Sequence, residues 1–155
     1  MKSVLILLSL IVLQGCFANE TLEITDDYSH IENPKERWAA YKLNDYSISQ
    51  TRICECLPPY EWVNQVVKNK VVDVEFEMPE QMSQSKEDIR EGLLRYSAIT
   101  VDEAFLLIEE YEGKADSIKV SYDERFGYPS SLLIDPSKDI ADEEIIYSFY
   151  NLKRN

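Results

Sequence analysis

The chain has 155 residues, with 29 acidic against 16 basic side chains and a formal net charge of −13. This length suits one domain with a substantial hydrophobic core. Because nucleic acid repels a protein this acidic, it is not expected as a partner, whereas basic proteins, cationic peptides and divalent cations are compatible with the charge.

The first residues are typical of a short secretory signal. Lys2 supplies a positive start, and the apolar run from Val4 to Leu13 spans about 15 Å as a helix, which is too short to cross a bilayer. Gln14, Gly15 and Cys16 follow directly. A small residue before a cysteine at this point resembles the lipobox of bacterial lipoproteins.

The resemblance implies that residues 1–15 are a signal peptide removed by cleavage. It also implies that the sulfur of Cys16 carries a diacylglyceride and that the new amino terminus takes a further chain such as palmitate. Aspartate after the cysteine favours the inner membrane in such lipoproteins, and Phe17 stands there instead, which implies the outer membrane, facing the periplasm. The alternative is an ordinary secretory signal followed by a chance cysteine.

An acidic tether is predicted for residues 16–32, since carboxylates crowd it and its apolar residues show no sustained period. A single globular domain is predicted for residues 33–155. It opens with a helix at Asn33-Pro34, where asparagine suits the N-cap and proline the first turn. Trp38 in that helix should face the core.

Three strands are predicted next, at residues 46–56, 62–67 and 71–78. The third alternates most clearly between apolar and acidic side chains, which is typical of a sheet with one buried face. Its inward face would carry Val72, Val74, Phe76 and Met78, and its outward face Asp73, Glu75 and Glu77.

The second half begins with an ambiguous segment, residues 79–98, in which Ser85 could start a helix that Gly92 weakens. Thr100 to Glu103 is a capping box, and it predicts a helix that Gly113 ends. Strands are predicted at residues 117–122, 131–135 and 144–151.

The predicted order is therefore α-β-β-β-(α)-α-β-β-β. Consecutive strands with short links favour an antiparallel sheet of about six strands. Two helices, or three if Ser85 starts one, would pack on one of its faces. The predicted fold class is α+β.

Two sets of short motifs carry a wider resemblance. They are Arg37-Trp38, Asp45-Tyr46-Ser47 and Cys54-Glu55-Cys56 in the first half, and Thr100 to Phe105, Ser121-Tyr122-Asp123, Gly127-Tyr128-Pro129-Ser130 and Asp142-Glu143-Glu144 in the second. Together they resemble the bacterial lipoproteins of the domain family of unknown function 6174, over nearly all of residues 34 to 152. The resemblance supports the location and the fold and implies no activity.

Cys54 and Cys56 are the strongest chemical feature of the domain. With Cys16 lipidated, two thiols remain in an oxidising compartment. On a strand their Cα atoms would lie about 6.6 Å apart, at the long limit for a disulfide, so a bridge needs a local bend. A structural disulfide, buried free thiols, a redox-active pair and a bridge between chains remain open.

Metal and catalytic sites have little support in the sequence. The one histidine, His30, lies in the predicted tether, so it neither completes a zinc site nor serves as a general base in the domain. The acidic stretch that holds Asp135, Asp139, Asp142 and Glu144 could bind a cation, but it lacks the glycine and final glutamate of an EF-hand. A solvated turn is the simpler interpretation. No cofactor and no enzymatic activity are expected.

The turn Phe126-Gly127-Tyr128-Pro129 is the preferred contact site, because aromatic residues in a loop have less core to fill than those in strands. The simpler interpretation is a hairpin turn in which Gly127 supplies an unusual backbone angle.

The sequence thus predicts a lipid-anchored protein of the cell envelope that binds an envelope protein or a peptide without catalysis. A thiol redox protein that uses Cys54 and Cys56 is one alternative. An acidic module for divalent cations is another.

Overall fold

The structure is a computed structural model, and it describes residues 23–53, 59–78, 82–140 and 143–155. The helices and strands of these residues are, in chain order, α1 Pro34–Ala40, β1 Tyr46–Ile53, β2 Glu61–Val67, β3 Lys70–Glu75, α2 Lys86–Tyr96, α3 Val101–Tyr111, β4 Ser117–Tyr122, β5 Pro129–Asp135 and β6 Ile145–Arg154. The six strands form one antiparallel sheet. The predicted α+β class with a six-stranded antiparallel sheet is confirmed.

The strands lie in the order β3-β2-β1-β6-β5-β4. Each half of the chain contributes three neighbouring strands, and the pairing of β1 with β6 joins the halves at the centre. This register sets Tyr46 opposite Arg154 and Ile53 opposite Ile146. The first strand of one half thus pairs with the last strand of the other. Two halves related by a two-fold axis would instead pair equivalent strands, such as β1 with β4.

Side-chain caps begin all three helices. Asn33 Oδ1 accepts a hydrogen bond from the Glu36 amide at 3.0 Å, and Ser85 Oγ accepts one from the Asp88 amide at 3.1 Å. Thr100 and Glu103 form the complete capping box, with both reciprocal bonds present. The segment that the sequence left ambiguous therefore contains a helix, and its start is the serine that was singled out.

The expected alternation along β3 is only partly right. Val74 and Phe76 are buried, but Val72 is 50% exposed and Met78 38% exposed. The register with β2 shifts between Gln65 and Val66, which inserts one extra residue into β3. Such a bulge resets the inward and outward order, so Val71 rather than Val72 packs against the core.

Two groups of buried side chains pack the helices against the sheet. The larger one draws on α1, α3 and the central strands: Ile24, Trp38, Tyr41, Leu43, Tyr46, Ile48, Val66, Val101, Ala104, Phe105, Tyr128, Leu132, Ile134, Tyr147 and Phe149. The smaller one joins β2 and β3 to α2 through Trp62, Val74, Phe76, Ile89 and Leu93.

The core also extends into the segment before α1. Ile24 is only 5% exposed and belongs to the larger buried group, and Tyr28 packs against the same group. Residues 24–32, called here the N-terminal strap, therefore lie against the domain, although the sequence placed them in a tether.

Among the described residues, none of the helices combines the length and apolar character required to span a bilayer.

Candidate functional site

A fully buried polar network joins β1 and β2 to the link between α2 and α3. Trp62 Nε1 donates to Asn64 Oδ1 at 2.8 Å, and Asn64 Nδ2 donates to Gln50 Oε1 at 2.6 Å. The two amides also bond the backbone of Ser97 and Ile99 at 2.9 to 3.1 Å. Because buried polar groups are costly to leave unpaired, this network specifies one position for the link. Its role is structural.

Arg52 extends the same connection to the end of α2. Its Nη1 donates to the carbonyl of Tyr96 at 3.0 Å and to Ser97 Oγ at 3.1 Å, and its guanidinium lies 5.7 Å from the centre of the Tyr147 ring. A helix ends with carbonyl groups that lack partners within the helix, and a cation there is favourable. Arg52 therefore helps to hold the end of α2 against β1.

Asp102 performs a similar joining role at the start of α3. Its carboxylate accepts from Trp38 Nε1 at 2.8 Å and from Asn69 Nδ2. Nearby, the phenol of Tyr46 accepts from the Val101 amide at 3.0 Å. These bonds link α1, the β2–β3 turn and α3, and they satisfy the polar ends of buried aromatic residues.

A groove with a volume of about 1160 Å³ opens beside the smaller buried group. Its walls come from the segment that enters β2, from the first residues of β2, from the end of β3 and from the first turns of α2. The lining residues are Pro59, Tyr60, Glu61, Trp62, Val63, Asp73, Val74, Glu75, Phe76, Glu77, Lys86 and Arg90. This concave surface, called here the β2–β3 groove, combines aromatic walls with a charged rim, which is typical of binding sites.

The rim of the β2–β3 groove carries more acid than base. Glu61 accepts a hydrogen bond from Tyr150, and Glu75 accepts one from Gln65 at 2.9 Å, so neither of these bonds brings a positive charge. Burial and the bond to Glu61 raise the pKa of Tyr150 to about 12. The phenol therefore stays neutral at physiological pH and donates to the carboxylate. Lys86 Nζ lies 5.4 Å from the centre of the Phe76 ring.

One backbone donor of β3, which is an edge strand of the sheet, is bonded by a side chain. Asp73 Oδ1 accepts from the Val74 amide at 2.7 Å and from Arg90 Nε at 2.6 Å, and Arg90 also pairs with Glu87 at 3.1 Å. The bond to Arg90 holds the pKa of Asp73 below its usual value. The Asp73 carboxylate therefore occupies one backbone donor of this edge strand and also anchors Arg90 of α2 beside it.

The turn that was predicted as a contact site faces inward, which corrects that expectation. Tyr128 is 5% exposed, Pro129 is fully buried, and the Phe126 ring packs on Tyr41 with their centres 5.1 Å apart. Gly127 has a φ of +81° and lies against the backbone of Pro34. The aromatic side chains of this loop are buried, because α1 and the N-terminal strap cover it. The alternative of a glycine with an unusual backbone angle describes it well.

Several predicted site residues lie outside the described residues. These are Cys16, Cys54, Cys56 and Asp142. The redox and disulfide alternatives therefore stay predictions. Pro59, the first described residue after the cysteine segment, lines the β2–β3 groove, so that segment leads directly into the groove wall.

The acidic stretch brings no recognisable metal site together in the part of the chain that the structure describes. No group of three or more histidine, cysteine, aspartate or glutamate side chains there is placed to hold a metal ion. Asp135 ends β5, while Asp139 and Glu144 lie in the following connection. The observed positions fit a connection between two strands.

Sequence reasoning missed the β2–β3 groove and the buried amide network. Trp62 was assigned only to a strand, and Gln50 and Asn64 drew no attention. One signal was available: polar amides at alternate positions of neighbouring strands, on the face that also carries Trp62 and Tyr46, are unusual unless they are paired. The groove had no such signal, because its walls come from separate elements.

The fold and these sites together define a class: a mixed α+β domain on an antiparallel sheet, with one aromatic-walled groove among its surface features. The family model described as "Family of unknown function (DUF6174)" matches residues 30–154, and the chain belongs to that family. No curated protein matches the chain, and no solved structure matches it.

Proposed function

We propose that this protein is a lipid-anchored, non-catalytic binding module of the bacterial cell envelope. Its ligand would be a basic, extended segment of another envelope protein or peptide, held in the β2–β3 groove. The observation that carries the proposal is the combination of aromatic walls with an acidic rim in that groove.

The charges of the groove support a cationic ligand. Glu61, Glu75 and Glu77 line it. Of the two cations in the lining, Arg90 is paired with Asp73 and Glu87, and Lys86 lies over the Phe76 ring, so carboxylates still outnumber cations there. A lysine or arginine of an incoming segment would meet carboxylates on the rim, and the overall charge of −13 would speed its approach.

The aromatic walls support apolar anchoring beside those charges. Tyr60, 48% exposed, offers an aromatic surface at the groove, while Trp62 and Phe76, 2% and 9% exposed, lie beneath it as a rigid floor that the buried network helps to hold. Rigid aromatic surfaces bind with little loss of conformational entropy, and they often dominate the energy of peptide contacts.

The location is supported by the sequence features around Cys16. A positive start, a short apolar run and a small residue before cysteine fit acylation and cleavage at that position. Two or three fatty chains would tether the domain permanently. We also propose that the helices cover one face of the sheet, which leaves the groove open at the end of β2 and β3.

A direct binding measurement tests the ligand class. The probe is the acetylated, fluorescein-labelled heptapeptide Lys-Val-Lys-Phe-Lys-Val-Lys, compared by fluorescence anisotropy with the same peptide carrying glutamate in place of lysine. We expect saturable binding of the lysine peptide to the full chain and roughly tenfold weaker binding of the glutamate peptide. Equal binding of both peptides would exclude an acidic recognition site.

A matched pair of charge reversals separates the groove from the general acidity of the chain. Glu77→Lys changes the rim, whereas Glu110→Lys makes the same change in net charge on α3, away from the groove lining. We expect Glu77→Lys to weaken binding of the lysine peptide by roughly 3–10-fold and Glu110→Lys to leave it nearly unchanged. Equal losses in both variants would mean that the peptide binds through net charge alone.

A further inference from the structure

We propose that the face of the Phe76 ring is the cation subsite of the β2–β3 groove, and that Lys86 occupies this subsite until an ammonium or guanidinium group of the ligand displaces it. The inference rests on the proposed function, because it concerns the same groove and the same class of cationic ligand. It adds the point in the groove at which the positive charge of the ligand binds, and the side chain that competes for that point.

Lys86 already makes the contact that a cation of the ligand would make. Its Nζ lies over the Phe76 ring, 5.4 Å from the ring centre, and both residues line the groove. A cation within about 6 Å of the centre of an aromatic ring is attracted by the negative face of that ring. The groove therefore holds an ammonium group, and this group belongs to the chain itself.

The carboxylates beside this ring favour a cation from any source. Glu75 and Glu77 flank Phe76 in the chain, and both are exposed and line the groove. Among the described residues, the ion pairs involve neither of these glutamates. Their negative charge therefore remains available to attract a positively charged group to this part of the groove.

The stability of α2 does not explain the position of Lys86. It is the first residue of the helix, directly after the N-cap Ser85. The amino end of a helix carries a partial positive charge, so a cation there is unfavourable, whereas Glu87 and Asp88 in the same turn are favourable. The contact with Phe76 gives Lys86 a role that the helix does not supply.

Lys86 can leave the ring without loss of a contact that holds the fold together. It is exposed, and within the described part of the chain it takes part in no ion pair. Arg90, the other cation of the groove, is instead paired with Asp73 and Glu87 and joins α2 to β3. A cation over an exposed ring changes an equilibrium by only about two- to fivefold. A ligand held by further contacts can therefore replace Lys86.

Fluorescence anisotropy with the labelled lysine heptapeptide and the full chain tests this competition. Lys86→Gln removes the internal cation, and we expect it to tighten binding of the peptide by roughly two- to fivefold. Lys114→Gln makes the same change in net charge at an exposed residue outside the groove lining, and we expect nearly unchanged binding. The competition would be overturned by unchanged or weaker binding in Lys86→Gln, or by an equal gain in both variants.

A Phe76→Leu background separates the ring from the local charge. Lys86→Gln should no longer tighten binding there, because the subsite for which Lys86 competes has been removed. The same gain as in the natural chain would mean that Lys86 acts through its charge alone, and it would overturn the ring subsite. Circular dichroism establishes that the variants are folded.

Nuclear magnetic resonance of the natural chain gives a second measurement that needs no change at Phe76. Protons above an aromatic ring resonate upfield, so the ε-methylene signal of Lys86, assigned by its loss in Lys86→Gln, should be shifted upfield in the free protein. We expect it to return to the ordinary lysine position when the lysine peptide saturates the groove. A signal at the ordinary position in the free protein, or one that stays shifted at saturation, would overturn the displacement.

The two proposals fail in different ways. Absence of saturable peptide binding to both the natural chain and Lys86→Gln contradicts the proposed function, and with it the subsite. Saturable binding during which the Lys86 signal stays shifted contradicts the displacement alone.

Discussion

The side-chain nitrogen of Asn64 lies 2.6 Å from Gln50 Oε1, and neither residue has exposed surface. This contact joins β1 to β2 beneath the link between α2 and α3. Because Asn64 also bonds Trp62 and the carbonyl of Ile99, its removal leaves several buried groups without partners.

Asn64→Ala should therefore lower the free energy of unfolding by roughly 2–4 kcal/mol, since buried unsatisfied groups and a small cavity add together. Urea denaturation of the full chain measures the change. Gln65→Ala is the matched control, because Gln65 is the next residue of β2 and points to the other face, where its side chain bonds Glu75 and Asn155 at the surface. A loss as large for Gln65→Ala as for Asn64→Ala would contradict a special role for the network.

Two glycines should respond to alanine with opposite signs. Gly127 has a φ of +81°, and a Cβ there would collide with the Pro34 carbonyl oxygen, whereas Gly92 lies inside α2 with nothing within 4 Å of such an atom. We expect Gly127→Ala to cost at least about 2 kcal/mol of stability, and Gly92→Ala to add roughly 0.5–1 kcal/mol through better helix propensity. Thermal and urea unfolding of the two variants give the comparison. An unchanged free energy of unfolding in Gly127→Ala would contradict the close contact between this turn and Pro34 of α1.

The stability of the fold should decline at high pH through Tyr46. Burial raises the pKa of its phenol well above the usual value of 10.0, so the folded state favours the neutral form. The corresponding stability is fully present below pH 10 and is lost as the pH rises through the folded-state pKa. Tyr128 and Tyr147 shift in the same direction, also because of burial, and they should add to the decline.

Tyr46→Phe should reduce this alkaline loss and cost roughly 1–2 kcal/mol at neutral pH, because the Val101 amide loses its acceptor at the start of α3. Urea midpoints at pH 7 and between pH 10 and 11 measure both effects. Tyr96→Phe serves as the control, since Tyr96 is 70% exposed. The same pH profile in Tyr46→Phe as in the natural chain would assign the alkaline loss to other groups.

Cys16→Ser should prevent acylation and leave the protein unprocessed or released from the membrane fraction. Cys54→Ser should leave membrane attachment intact, because that cysteine lies far from the signal. Fractionation with intact-mass analysis of the mature chain measures both. A Cys16→Ser protein that remains in the membrane fraction with an unchanged mass would contradict the lipid anchor.

Local features of the structure could be predicted because they depend on residues that are close in the chain. The helix starts at Asn33 and Thr100 follow from capping chemistry alone, whereas Ser85 was recognised only as a possible start because Gly92 weakens the helix after it. The main alternation of β3 follows from its side-chain period. The bulge at Val72 was not predicted, because the sequence of one strand does not determine its register against a neighbouring strand.

The candidate site could not be predicted, because it is formed by contacts between residues that are far apart in the chain. The β2–β3 groove combines walls from β2, β3 and α2, and the N-terminal strap meets a turn about one hundred residues further along the chain. The interpretation of the Phe126 turn was wrong for this reason: an aromatic loop looks exposed until the segment that covers it is located.

The amino-acid sequence by itself determined the helix caps, most strand positions, the mixed class, the family resemblance and the expectation of a lipid anchor, because each depends on neighbouring residues and their chemistry. Only the tertiary structure decided that β1 pairs with β6, that Gln50 and Asn64 meet, and that Ile24 docks beside Arg125. Those arrangements depend on which distant surfaces bury each other best, and that balance is settled only when the whole chain packs together.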